Sequence, residues 1–105
     1  MVHVTRAVLV LAVLAAASAP SLASPELAQK HACLACHAAD KKMIGPSYQE
    51  VAKKYAGQAD AQAKLMASIK AGGAGKWGPV PMPAQPHVPE ADLKALAGWI
   101  AAQAK

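Results

Sequence analysis

The only two cysteines of this 105-residue chain stand at Cys33 and Cys36, and His37 follows the second directly. This Cys-x-x-Cys-His run constrains everything around it. At this spacing two thiols add across the two vinyl groups of one haem, giving thioether links. The adjacent imidazole then reaches the iron as an axial ligand. On a helical turn, residues three and four apart share a face, so Cys33, Cys36 and His37 can address one porphyrin.

Three other uses of the pair compete with this one. A thioredoxin-type redox pair belongs beside a βαβ pattern, and no convincing strand run is present. A zinc site needs further ligands, for which only His3, His31 and His87 are spare. A strained local disulfide would carry no further role. The Cys-x-x-Cys-His signature has its own specific meaning, covalent haem, and the rest of the chain is consistent with it.

Residues 1–23 read as a cleaved signal peptide. Arg6 and the amino terminus give a thin positive region, Ala7 to Ala17 is unbroken apolar sequence, and Pro20 breaks any helix. Ser21-Leu22-Ala23 places small residues at the −3 and −1 positions of a cleavage site. An uncleaved anchor is the competing reading, since the charge-free run is near the lower limit for spanning a bilayer. Cleavage after Ala23 leaves a single domain, residues 24–105, of 82 residues. A chain that short buries a marginal core and needs a staple, which a covalent haem supplies.

The mature segment holds ten lysines and no arginine against six acids, about +4 before haem and about +2 after two ionised propionates are counted. Such a surface suits a transient acidic protein partner and argues against nucleic acid, which calls for clustered arginine. Lys30, Lys41, Lys42, Lys53, Lys54, Lys64, Lys70 and Lys76 either ring an exposed haem edge or merely solvate helix faces.

The pattern is all-α. Ser24 is placed to cap a first helix that carries Pro25 at its first position and runs into the Cys-x-x-Cys-His segment, with Leu27, His31 and Leu34 near one stripe. After a loop from Ala39 to Pro46, Ser47-Tyr48-Gln49-Glu50 is a capping box opening a second helix. That helix turns Tyr48, Val51, Ala52 and Tyr55 inward and stops at Gly57. A third helix spans about Asp60 to Ala71, with Leu65, Met66 and Ile69 toward a core. A last one starts near Pro89-Glu90 and buries Leu93, Leu96, Ala97 and Ile100.

Between them, Trp77-Gly78-Pro79-Val80-Pro81-Met82-Pro83 alternates prolines and forbids a helix. A methionine there is poorly placed for packing and well placed to present a thioether to iron. Met82 follows His37 by 45 residues, enough to wrap the haem edge and return on the other face. His87 is the rival sixth ligand and would give a bis-histidine haem. Met66 reads as core, Met43 as packing on the proximal side, and His31 as partly exposed surface. His/Met ligation gives a low-spin carrier of raised potential. An open sixth site would instead mark a haem enzyme or gas sensor, and free thiols would mark a thiol–disulfide oxidoreductase.

Over Glu26 to Gln103 the chain resembles the small bacterial class I cytochromes c of the c-551 type. The resemblance rests on Cys33-Leu-Ala-Cys36-His37, Lys42-Met-Ile-Gly-Pro46, Tyr55-Ala-Gly-Gln58, Lys76-Trp-Gly-Pro-Val-Pro-Met-Pro83 and Leu96-Ala-Gly-Trp-Ile100. It implies a helical shell around one covalent haem c, first and last helices crossing, with His37 and Met82 as the axial pair. It further implies that the Pro46 carbonyl accepts from the His37 ring and that the Trp77 indole donates to a haem propionate. The function implied is one-electron transfer by a soluble monomer in the periplasm of a Gram-negative bacterium, not enzymatic turnover. Its donor would be a quinol-oxidising complex or similar, its acceptor a terminal reductase, oxidase or peroxidase.

Departures from the family pattern are local. Gln85 stands where asparagine often bonds the methionine sulfur, and Ala84 replaces a frequent proline. Ser68 stands where arginine often pairs a propionate, and Ala28 and Ala32 where an aromatic residue and a glycine are common.

Overall fold

The computed structural model describes residues 24–104, together with Ala12. The expected signal peptide, residues 1–23, lies outside that described domain. Four α-helices follow in order: α1 (Ser24–Lys30), α2 (Tyr48–Tyr55), α3 (Ala61–Ala71) and α4 (Glu90–Ala101). A 3-10 turn, Cys33–Ala35, stands between α1 and α2. The described residues form no strand, and their one bridge joins Gly73 to Met82. None of their helices is long and apolar enough to cross a membrane.

Helix α4 is the hub. It packs against α1, α2 and α3, because Leu93, Leu96, Ala97 and Ile100 recur at helical spacing and are all buried. From α2 the core receives Tyr48, Val51 and Tyr55, from α3 Leu65 and Ile69, and from α1 Leu27 and Ala28. Ala28 is fully buried, so no larger residue fits there without displacing neighbours.

Of the capping box expected at the start of α2, the Ser47 half forms. Ser47 is extended at φ −65° and ψ 154°, and its hydroxyl accepts the Glu50 amide at 3.1 Å. Gly57, at φ +77°, ends the element in the left-handed conformation that favours glycine. Helix α3 ends likewise at Gly72, φ +66°.

Two expectations at the amino-terminal end are corrected. The Cys-x-x-Cys-His segment is not on α1: the helix stops at Lys30, and Ala32 turns left-handed at φ 60° before the 3-10 turn begins. This reversal lifts Leu34 off the stripe of Leu27 and leaves it exposed. Ser24 does not cap; it is the first helical residue, and its hydroxyl donates to Ala95 O of α4 at 3.1 Å. His31 is partly exposed as a residue, as expected, but its imidazole is covered. Its side chain is 7% exposed and its Nε2 sits 2.9 Å from Asp92 Oδ2 in the first turn of α4. The α1–α4 crossing covers it.

Candidate haem site

The 3-10 turn sets the two thiols. Both cysteines are unpaired and half-buried, and the turn is closed by Cys36 N and His37 N, both donating to Cys33 O at 3.2 and 3.0 Å. Burial raises the Cys33 thiol above its ordinary range, and the Coulomb effect of Cys36 adds to the rise.

His37 is fixed from three sides. Its Nδ1 lies 2.7 Å from Pro46 O. A carbonyl only accepts, so Nδ1 carries the proton and the Nε2 lone pair points away, available to a metal. The ring stacks on Tyr48, centroids 5.4 Å apart and planes 24° from parallel. On the remaining side a Cβ on Gly45 would fall 2.6 Å from His37 Cε1, so only glycine lets the loop approach this closely. Gly45 N in turn donates to Cys36 O at 2.8 Å, tying the loop back to the thiol turn.

Met82 is clamped through its backbone. Its amide donates to Gly73 O at 2.8 Å and its carbonyl accepts from Gly73 N at 3.1 Å. A Cβ on Gly72 would meet Met82 O at 2.5 Å, so both the positive φ and the close approach require glycine there. Met82 and Trp77 are half-buried and pack on the core. Lys54 Nζ sits over the Trp77 ring, 4.4 Å from its centroid. Gln85 spends its amide on Pro83 O at 3.1 Å, and its backbone N donates to Ile69 O. His87 is exposed and faces His31, ring centroids 6.0 Å apart, at the α1–α4 crossing.

The residues fit a flat apolar group. Leu34, Met43, Ile44 and Val80, all large and apolar, are left 43 to 60% exposed around the thiol turn and the methionine loop. They flank the thiol turn and the methionine loop in sequence, apolar surface that a flat apolar group bound there would cover. The Tyr48 hydroxyl is buried without a partner, and burial pushes its ionisation well above the ordinary tyrosine range. Motif spacing alone does not mark Tyr48 and Gly45 as parts of the site. Their place two residues after and one before Pro46 was the available signal.

The cytochrome c family model matches residues 23–104. A cytochrome c-551 of Allochromatium vinosum is 54% identical over 83 residues, spanning 78% of this chain and 88% of that protein. A cytochrome c-552 of Hydrogenobacter thermophilus is 50% identical over 80 residues, spanning 76% and 81%. The crystal structure of Nitrosomonas europaea cytochrome c552 superposes with a TM-score of 0.73 at 44% identity, covering 75% of this chain and 98% of that one. Its helical shell, its Cys-x-x-Cys-His turn and these likenesses together make the chain a member of the cytochrome c family, electron carriers that hold haem c covalently and are not enzymes.

Proposed function

We propose that this carrier holds haem c through thioethers at Cys33 and Cys36, with His37 and Met82 as axial ligands, and shuttles single electrons in the bacterial periplasm. Bound there, haem c supplies the one-electron couple. The chain's own residues do the rest. Pro46 O fixes the imidazole tautomer and makes Nε2 a better donor. Tyr48 and Gly45 hold the ring plane. Leu34, Met43, Ile44 and Val80 exclude water, and a thioether in an apolar wall favours the reduced state. Trp77 is the residue suited to a propionate through its indole N–H.

The observation that carries the reading is the double backbone clamp on Met82, between Pro81 and Pro83. A thioether is a weak ligand, and it stays bound only if the chain does not have to be ordered for it. His87, by contrast, is turned toward His31. Docking to donor and acceptor, such as a quinol-oxidising complex and a terminal reductase, oxidase or peroxidase, would be transient and between monomers.

Replacing Met82 with Ala is expected to abolish the long-wavelength ferric band of sulfur ligation and to open the iron to carbon monoxide or cyanide. Unchanged ligation in that variant, with loss of it in His87→Ala, would transfer the role to His87.

A further inference from the structure

Of the described histidines, two lie outside the haem site, and the fold brings them together. His31 follows α1 directly, its amide donating to Leu27 O at 3.0 Å. His87 sits in the turn before α4, which is closed by Val88 N donating to Gln85 O at 3.3 Å and stiffened by Pro86 and Pro89. Val88 is buried and anchors that turn to the core. The two ring centroids are 6.0 Å apart, with planes tilted by 53°. Both backbones are thus fixed, and the pair meets at the α1–α4 crossing.

Asp92 sets the tautomer of His31. His31 Nε2 lies 2.9 Å from Asp92 Oδ2, and an ionised carboxylate only accepts, so Nε2 carries the proton. In the neutral ring the lone pair then sits on Nδ1. A carboxylate on the far nitrogen orients a metal-binding imidazole and makes it a better donor. Pro46 O acts on His37 by the same logic, with the two nitrogens exchanged. Lys30 Nζ, 3.9 Å from the same carboxylate oxygen, opposes a cation there, but its side chain is 56% exposed and its charge is screened. The His31 side chain is covered and His87 is exposed, so an ion enters from the His87 side.

We propose that His31 and His87 bind a divalent transition-metal ion of the copper–zinc class, copper(II) most tightly, with Asp92 positioning His31. Nitrogen–metal bonds of about 2 Å place two imidazole centroids roughly 5–6 Å apart on one ion. That range reaches the observed separation. Among the described residues no three His, Cys, Asp or Glu side chains stand together as a ready cage. Water therefore takes the remaining positions, and the site is open rather than structural. Imidazole nitrogens suit copper, nickel and zinc, and affinity among the divalent ions peaks at copper(II). The inference rests on Met82 being the sixth iron ligand, since His87 cannot serve both metals.

The test is a titration of the oxidised holoprotein with copper(II) sulfate in a non-coordinating buffer, read by calorimetry and by the copper paramagnetic resonance signal. A single ion is expected to bind saturably, with hyperfine splitting from two nitrogens. His87→Ala, at an exposed position, should weaken binding about a hundredfold, as a chelate reduced to one contact does. Asp92→Asn should weaken it about tenfold with both nitrogens still seen, the signature of a positioning residue. Lys70→Met, on α3, should change nothing. The haem absorption spectrum keeps the two readings apart. A changed spectrum in His87→Ala overturns both; an unchanged spectrum with wild-type copper affinity overturns the copper site alone. Absence of saturable binding, or a copper signal without two nitrogens, overturns it as well.

Discussion

A Cβ added at Gly45 would sit 2.6 Å from His37 Cε1 and 2.9 Å from Nδ1, well inside contact distance. Neither neighbour can yield freely, because Gly45 N is bonded to Cys36 O and the ring is held by Pro46 O and Tyr48. Gly45→Ala should therefore strain the imidazole and lower stability by about 1–3 kcal/mol, the cost of overpacking. Thermal unfolding of the holoprotein checks the size, and a shift in the reduction potential separates strain at the ligand from strain elsewhere. Ala32 poses the opposite case. It is the only non-glycine residue at positive φ among those described, a conformation that costs an L-residue roughly 1–2 kcal/mol. Ala32→Gly removes that strain and adds chain entropy to the unfolded state, which offsets roughly half of it. The expected net gain is about 0.5–1 kcal/mol, visible as a raised midpoint in denaturant.

Between elements, the contact that matters most is the one joining the end of α1 to the start of α4. His31 Nε2 lies 2.9 Å from Asp92 Oδ2, both side chains largely shielded, while Lys30 Nζ stands 3.9 Å from the same oxygen with its own side chain 56% exposed. Asp92 also lies in the first turn of α4, where a carboxylate complements the helix dipole. Asp92→Ala leaves His31 unpartnered in the crossing and should cost about 1–3 kcal/mol, whereas Lys30→Ala should cost less than about 0.5 kcal/mol, as exposed pairs do. Chemical denaturation of the two variants separates the contributions. This crossing also marks where the chain was hard to read. Helices α2, α3 and α4 were legible because their apolar spacing, the Ser47 cap and the glycines at 57 and 72 all act within a few residues. The end of α1 was not: alanine is the best helix former, and nothing local reveals that Ala32 leaves the helix. Nor could His31 be recognised as covered when its partner is 61 residues away. Within the site, Cys33, Cys36 and His37 were legible from spacing alone. The stack of Tyr48 on His37 was not, because it follows from the loop folding back at Gly45.

At the scale of the whole molecule the core gathers on α4. The core has Tyr48, Val51, Tyr55, Leu65, Ile69 and Val88 among its members. Leu34, Met43, Ile44 and Val80 remain exposed outside it. Domains of this size bury only about 60% of the surface their unfolded chains expose, and so are marginal without a staple. No disulfide is present among the described residues, and the two thiols belong to the haem turn. Fixing about 80 residues opposes folding by roughly 1.5 kcal/mol each, so the apolar surface that haem c covers decides whether the native packing survives. A Cys33→Ala/Cys36→Ala chain expressed without covalent haem should keep some far-ultraviolet helical signal yet lose near-ultraviolet dichroism and bind a hydrophobic dye. Its melting should be broad, where the holoprotein melts in one cooperative step. The same chain melting cooperatively with native-like aromatic signals would mean that the helices around α4 close their own core, and the haem would then be a passenger of the fold rather than part of it.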